Sequence, residues 1–406
     1  MRKRHMNNTA SCPNKAFGLA LSGGGVRAAA FHAGVLRYFA ERKWLENIEH
    51  ISSVSGGSLF VGLVFHHADT HWPDSETYLK EVFPRFRQTL TTLSLQGAAI
   101  KKLVLNPLNW RFALSRANIM AQTIQDVWGV KTALRALDAR PVWSINCSTG
   151  ETGHRYRFRN GTMGDYESGC ADIGNFSLAS AMASSAAFPG GIGPLTIETK
   201  KFHWMKRKQW DDGEPEPFQP PFKQLHLYDG GLYDNLGVEP LFDSGQQSLK
   251  EDAALPTKIN YLLVSDSEAP LTRQPIPGPL NPFRLERIID IGLGQCRALH
   301  VRAFVNFLRL NPTSGAYAGI GTAAVASIRK FATGREAIAE ALLKQTWLSA
   351  AEARQAATYS TNLKRLDEAM FDLLQRHGYE TVKWNVELMS QFLPPDSGAT
   401  ARGGVI

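Results

Sequence analysis

The sequence predicts an α/β fold, with strands and helices alternating in layers around one core. Two stretches carry that expectation. A short apolar run, AFGLAL at 16–21, ends on a glycine cluster and hands over to AAAFHAGVLRYFAER at 28–42, where apolar side chains recur at helical spacing. A second run, IEHISSV at 48–54, passes through small residues into SLFVGLVFH at 58–66, which reads as a buried helix. A third observation sets the scale: 406 residues, 43% of them hydrophobic, suffice to bury a substantial core.

The remaining elements follow in order. Residues 70–140 read as mainly helical, broken at NPLNW (106–110). VWSINCST at 142–149 and HRYRFR at 154–159 read as strands, the second alternating basic and aromatic residues so that one face is wet. NFSLASAMASSAAFPG at 175–190 begins as a small-residue helix and stops at Pro189-Gly190. LTIETKKFHWMKRKQW (195–210) leads into an acidic proline-rich loop, DDGEPEPFQPP at 211–221. KQLHLYD (223–229) and KINYLLVSD (258–266) are core strands, 283–309 is a long amphipathic stretch, and helices near 334–350 and 360–377 close the chain. The uncharged run LNPTSGAYAGIGTAAVASI at 310–328 is long enough to raise the question of a membrane span. Its Pro, Asn, Ser and Thr content makes a lid or buried loop the better reading, with peripheral bilayer contact left open. The expected organisation is a tail at 1–14, a core at 15–270 with the helical insertion around 70–140, and a helical extension at 271–406 packed on that core.

Composition narrows the function classes. A net charge of +8 admits nucleic acid, anionic lipid or acidic substrates and selects none of them. The basic residues form no recognisable reading module, so no nucleic-acid partner is expected. Cys12, Cys147, Cys170 and Cys296 are scattered without a CxxC pair, which reads as reduced thiols of a cytoplasmic protein rather than a disulfide framework or a zinc site. No apolar segment of signal-peptide length precedes Lys15. The carboxylates show no metal-ligand spacing, and neither metal nor other cofactor is expected.

Three pieces carry chemistry. In L21-S22-G23-G24-G25-V26-R27, glycines between a strand and a helix expose successive backbone N–H groups that suit a phosphate or the oxyanion of an acyl transfer. No GK[ST] follows and the last glycine of GxGxxG is missing, so the nucleotide reading is the weaker. A close-packed strand-to-helix turn is the bland reading. In S53-V54-S55-G56-G57, Ser55 holds the central place of a G-x-S-x-G nucleophile elbow whose leading glycine is replaced by Ser53. Ser52, Ser53 and Ser58 read as turn or cap residues. In Y228-D229-G230-G231-L232-Y233-D234-N235, Asp229 ends a strand, where an α/β site places an acid able to deprotonate a serine. The bland alternative is an Asp-Gly turn, with Asp234 and Asn235 bracing it. His300 and His377, the histidines after Asp229, lack the turn-plus-strand context of a triad, which favours a Ser–Asp pair.

LSGGGVRAAAFHAGVLR (21–37), SVSGGS (53–58), SSAAFPG (184–190) and DGGLYDN (229–235), in that order, resemble the patatin-like phospholipase family over roughly residues 15–270. The resemblance implies a three-layer α/β/α acyl hydrolase with a central, mainly parallel sheet. Ser55 would be the nucleophile and Asp229 the base. Gly23, Gly24 and Gly25 would form the oxyanion loop. Arg27 would hold that loop or meet a lipid phosphate, and Phe188 and Pro189 would wall the site. The expected substrate is an acyl ester of a phospholipid or related lipid. A neutral-lipid lipase, thioesterase or general esterase would use the same pair, and a non-catalytic lipid-binding or scaffold protein would need neither residue. The sequence does not speak to oligomeric state.

One stretch bears on peripheral contact with anionic membranes. Lys201, Lys206, Arg207 and Lys208 are interleaved with Trp204 and Trp210 between Pro189 and Asp229. Basic side chains favour an anionic surface and tryptophan suits the headgroup region. The competing reading is a wet hairpin with its aromatic residues turned inward.

Overall fold

The computed structural model describes residues 15–389, except 113–114, 160, 190, 208–213, 253–254, 272, 279 and 282. In chain order the strands are β1 (Phe17–Leu21), β2 (Ile48–Val54), β3 (Val142–Thr149), β4 (Arg155–Arg159), β5 (Thr162–Asp165), β6 (Gly169–Asp172), β7 (Leu195–Glu198), β8 (Trp204–Lys206), β9 (Glu216–Phe218), β10 (Gln224–Asp229), β11 (Phe242–Asp243), β12 (Ser248–Leu249), β13 (Tyr261–Asp266) and β14 (Gly315–Gly319). The helices are α1 (Gly25–Glu41), α2 (Gly56–His67), α3 (Ser75–Thr77), α4 (Phe83–Thr92), α5 (Leu95–Leu105), α6 (Ala117–Val127), α7 (Leu178–Ser185), α8 (Gly231–Asp234), α9 (Phe283–Leu310), α10 (Ala324–Lys330), α11 (Glu336–Leu343), α12 (Ala350–Thr358) and α13 (Glu368–Met389).

The centre of the sheet is parallel, in the order β14-β13-β1-β2-β3. Beyond β3 it continues antiparallel through β4, β5, β6, β8 and β9, while β11 and β12 form a separate ribbon. Successive residues of the central strands serve opposite faces, as the strand repeat requires. Leu19 and Leu21 enter a core with Phe31 and Leu36 of α1, Phe60 of α2 and Phe371 of α13, whereas Ala20 and Val264 enter a second core with Phe304 and Phe307 of α9. Two buried faces make three layers, the α/β class expected from the sequence. Helices α1 and α13 cross closely enough to require glycine on both: a Cβ on Gly34 would lie 1.7 Å from the Gln375 carbonyl oxygen, and one on Gly378 would lie 2.0 Å from that of Phe31.

Several local expectations change. The uncharged run at 310–328 is neither a lid nor a loop: Gly315–Gly319 is the edge strand β14, paired with β13, and Ala324 opens α10. It forms a strand without β-branched residues because a parallel neighbour supplies the ladder. The two closing helices become three, α11 to α13, and the middle one begins on a Ser349–Glu352 capping box. The face of HRYRFR read as wet is half-buried. Arg155 pairs with Glu239 at 2.9 Å and Arg159 pairs with Asp252, while Tyr156 and Phe158 face the core. Among the described residues no helix is long and apolar enough to cross a membrane, and Cys147, Cys170 and Cys296 are unpaired.

Candidate active site

The position of the site follows from the register on β3. Strand β2 runs parallel to β3 and ends with Val54 opposite Asn146; β10 runs antiparallel to it and ends with Asp229 opposite Cys147. The two strands thus meet head to head along one edge of β3. Ser55, the residue after β2, and Asp229, the last of β10, are brought together although 174 positions separate them (229 − 55).

Ser55 turns the chain from β2 into α2 with φ 50° and ψ −116°, a left-handed conformation that costs a non-glycine residue on the order of 1–3 kcal/mol. Ser185 holds it there. The Ser55 N–H donates to the Ser185 carbonyl oxygen at 3.2 Å and to its Oγ at 3.0 Å. The Ser185 hydroxyl donates to the Asn146 carbonyl oxygen (2.7 Å), and its Oγ lies 2.8 Å from Ser58 Oγ, which lies 2.8 Å from Ser53 Oγ. Trp143 Nε1 donates to Ser53 Oγ at 2.8 Å, and Asn146 Nδ2 to Ser52 Oγ at 2.9 Å. Ser52 and Ser53 lie within β2 and Ser58 within α2, all three buried members of this network rather than turn or cap residues. The glycines after Ser55 have a steric reason, since a Cβ on Gly56 would lie 2.2 Å from the Gly25 carbonyl oxygen.

That contact places the glycine loop against the serine turn. A Cβ on Gly23 would lie 3.1 Å from Ser55 Cβ. The Gly23 N–H is spent on the Asn235 carbonyl oxygen at 3.0 Å, and the Val26 N–H on that of Asn362 at 3.0 Å. Between them stand Gly24 (φ 135°) and Gly25 (φ 60°), at the start of α1. Arg27 is 2% exposed and supports the loop instead of reaching solvent: Nε donates to the Ser267 carbonyl oxygen (3.0 Å) and Nη1 to that of Tyr359 (2.5 Å). Burial lowers its pKa to about 10. Ser267 also donates from Oγ to the Gly23 carbonyl oxygen at 2.9 Å.

Asp229 is 4% exposed. Burial raises its pKa to about 6, against the lowering effects of the Gly231 N–H, 2.8 Å from Oδ1, and of a hydrogen bond with the Ser55 side chain. Its own N–H donates to the Ala187 carbonyl oxygen at 3.0 Å, so the turn carrying half-buried Phe188 and Pro189 lies beside it. Among the described residues no histidine hydrogen-bonds Ser55 or Asp229. His300 lies 3.3 Å from Asp234, the Gly321 N–H donates to His377 Nε2, and His32 is enclosed between Ser265 and Ser22. Asp234 braces its loop as expected, accepting from the Leu236 and Glu239 N–H groups, and Asn235 is held by Glu268 at 2.8 Å. A buried carboxylate and a serine hydroxyl therefore meet beside the turn that carries Gly24 and Gly25.

The basic strip follows β7, which pairs with β10. Trp204 is 3% exposed and its Nε1 donates to the Thr199 carbonyl oxygen at 2.8 Å, so its ring is turned inward. Lys201 pairs with Glu198, Lys206 donates to the Glu167 carbonyl oxygen, and Arg207 is exposed. Trp204 is thus withdrawn as a membrane contact; Lys208 and Trp210 fall outside the described residues. Ser185, Asn146 and Glu268 are the supporting residues that sequence reasoning missed. Ser185 was signalled by its place in SSAAFPG, and Glu268 by polar residues crowding the carboxyl end of a core strand.

The family model of patatin-like phospholipases matches residues 19–242. Among solved structures, human GIVD cytosolic phospholipase A2 is similar with a TM-score of 0.50 at 12% identity, over 92% of this chain and 61% of that one. The same human protein in complex with methyl gamma-linolenyl fluorophosphonate gives 0.45 at 14% identity over 92% and 57%. VipD from Legionella pneumophila gives 0.35 at 12% identity over 91% and 67%. The chain spans about three fifths of the human protein's length, and at these identities the likeness concerns the fold alone. No curated protein matches by sequence.

Proposed function

The chain belongs to the patatin-like phospholipase family, and from that premise we propose that it cleaves acyl ester bonds of phospholipids or related lipids through a Ser55–Asp229 pair. The observation that carries the reading is the head-to-head meeting of β2 and β10 on β3, which sets a buried, pKa-raised carboxyl beside a serine held in a strained turn. Ser55 Oγ attacks the ester carbonyl carbon as Asp229 takes its proton. The N–H groups of Gly24 and Gly25 meet the developing oxyanion. The alcohol or lysophospholipid leaves with the proton. Water, deprotonated by Asp229, then releases the fatty acid and restores Ser55. A carboxylate near its usual pKa is a weak base; at about 6, Asp229 is better matched to neutral pH. The unpaired cysteines accord with a cytoplasmic location, from which the protein meets lipid as a peripheral partner.

The test is a panel of diacylphospholipid, lysophospholipid, triacylglycerol and acyl thioester substrates, with intact protein and Ser55→Ala, analysed for the bond cut. Cleavage of a lipid acyl ester by the intact protein alone is the expected result. Equal product from both proteins overturns the reading.

Two further outcomes are expected. With Asp229 titrating near 6, kcat/KM on a soluble ester falls about tenfold per pH unit below that value and is flat above it. A profile flat from pH 4.5 to 8, measured in a folded sample, contradicts Asp229 as the base. Gly25→Ala puts a Cβ 2.3 Å from the Asn362 carbonyl oxygen at a φ of 60°. It should displace the loop and cost about 3 kcal/mol of transition-state stabilisation, the loss of one oxyanion donor. Steady-state kinetics with unchanged kcat would remove Gly25 from the role.

A further inference from the structure

We propose that α5 and the turn after it, through Trp110, form the surface by which this chain seats on an anionic lipid bilayer; this rests on the lipid acyl hydrolase reading, which requires access to lipid.

The segment is built with its polarity reversed. Ile100 is 54% exposed, Val104 63%, Leu105 77%, Leu108 74% and Trp110 61%. Asn109, flanked by two of these, is buried and donates from Nδ2 to the Lys102 carbonyl oxygen at 3.1 Å, while Asn106 Oδ1 accepts from the Leu108 N–H at 3.1 Å. Polar groups stitch the turn from within and the apolar side chains stand out. A water-facing turn has the opposite arrangement, and a contiguous exposed apolar set marks an interaction surface.

Its ends are tied to two sides of the Ser55 site. At the start, the Gln96 N–H donates to the Leu363 carbonyl oxygen at 3.0 Å, next to Asn362, whose carbonyl oxygen accepts from Val26 and crowds Gly25. At the far end, the Ser115 hydroxyl donates to the Pro194 carbonyl oxygen at 2.7 Å, just beyond the turn in which Phe188 accepts from Ile192. The projecting residues therefore connect the glycine-loop side to the Phe188 side.

Charge selects the occupant. From Val82 to Gln125 the chain has Arg85, Arg87, Lys101, Lys102, Arg111 and Arg116 and no aspartate or glutamate. Arg85, Arg87 and Lys102 pair with carboxylates outside this stretch, and Lys101 stands exposed beside Ile100. An anionic leaflet meets no opposing carboxylate from the segment, leucine and valine enter the acyl boundary, and tryptophan sits at the headgroup level.

The experiment uses the full chain and phosphatidylcholine vesicles with about 30% phosphatidylserine. Substituting Val104, Leu105, Leu108 and Trp110 together by serine should reduce vesicle partitioning on the order of 100-fold, since each CH₂ entering the acyl region is worth roughly fourfold. Turnover of a soluble ester should stay within about twofold, as none of these side chains takes part in the chemistry. Lys101→Glu should weaken binding to these vesicles and not to pure phosphatidylcholine vesicles. A matched Leu285→Ser/Ile288→Ser protein, altered on α9, should bind normally. Unchanged binding by the fourfold variant, or equal loss in the α9 variant, overturns the proposal. So does a shift from dimer to monomer on a sizing column, which would assign the face to a second copy of the chain. If the intact protein binds through this face but cleaves no ester, the surface stands and the hydrolase reading fails.

Discussion

Ser55→Ala is expected to reduce acyl-ester turnover on the order of 10⁴-fold or more while leaving thermal unfolding nearly unchanged. The two halves of that result are separable in this structure. The Ser55 contacts that hold the turn are made by its backbone N–H, to Ser185, and alanine keeps them. The left-handed φ of 50° is as costly for alanine as for serine, so backbone strain does not change. Only the hydroxyl facing Asp229 is removed. A fluorophosphonate should accordingly label the intact protein once, at Ser55, and the alanine variant not at all. Ser52, Ser53 and Ser58 are closed inside the network with Trp143, Asn146 and Ser185 and should remain free of adduct. Peptide mapping that finds the adduct on one of those three, with Ser55 free, overturns the assignment. Retained turnover in the alanine variant does so equally.

How much of this was legible beforehand differs from element to element. The approach to Ser55 was: apolar runs ending in glycines announce β1-α1 and β2-α2, because a buried parallel strand and a buried helix both need uninterrupted apolar side chains. That Asp229 ends a strand was also readable from QLHLYD. That its strand meets β2 end to end was not, since the register of β10 against β3 is set by pairing across some eighty residues and leaves no local mark. Strand β14 was missed because GAYAG has the composition of a loop. Trp204 was misplaced for a related reason. Its neighbours Lys201, Lys206 and Arg207 suggest a surface, but the ring itself is buried and its Nε1 is bonded to the Thr199 carbonyl oxygen. The projecting α5 turn drew no attention because NPLNW reads as a simple break, and only the burial of Asn109 shows which side chains face out.

Asp229→Asn should lose turnover nearly as completely as Ser55→Ala and, unlike it, gain stability at neutral pH. The amide cannot take the Ser55 proton, which accounts for the first part. The second follows from the direction of the Asp229 shift. Burial raises the folded-state pKa to about 6, above the value of about 3.9 expected unfolded. Well below about pH 3.9 the carboxyl is protonated in both states and ionisation has no effect on folding. As pH rises from 4 to 6 the unfolded chain ionises first, and stability is lost until the folded carboxyl ionises too. The difference of roughly two pKa units corresponds to at most about 3 kcal/mol. Asparagine carries no charge at any of these values. Its Oδ1 can still accept from Gly231, as the carboxylate does at 2.8 Å. Urea unfolding at pH 3 and pH 7.5 should therefore show the variant nearly equal to the parent at the lower pH and on the order of 1–3 kcal/mol more stable at the higher. A variant that is less stable at pH 7.5 would mean that the carboxylate holds the DGG turn together instead of being held, unfavourably charged, for chemistry.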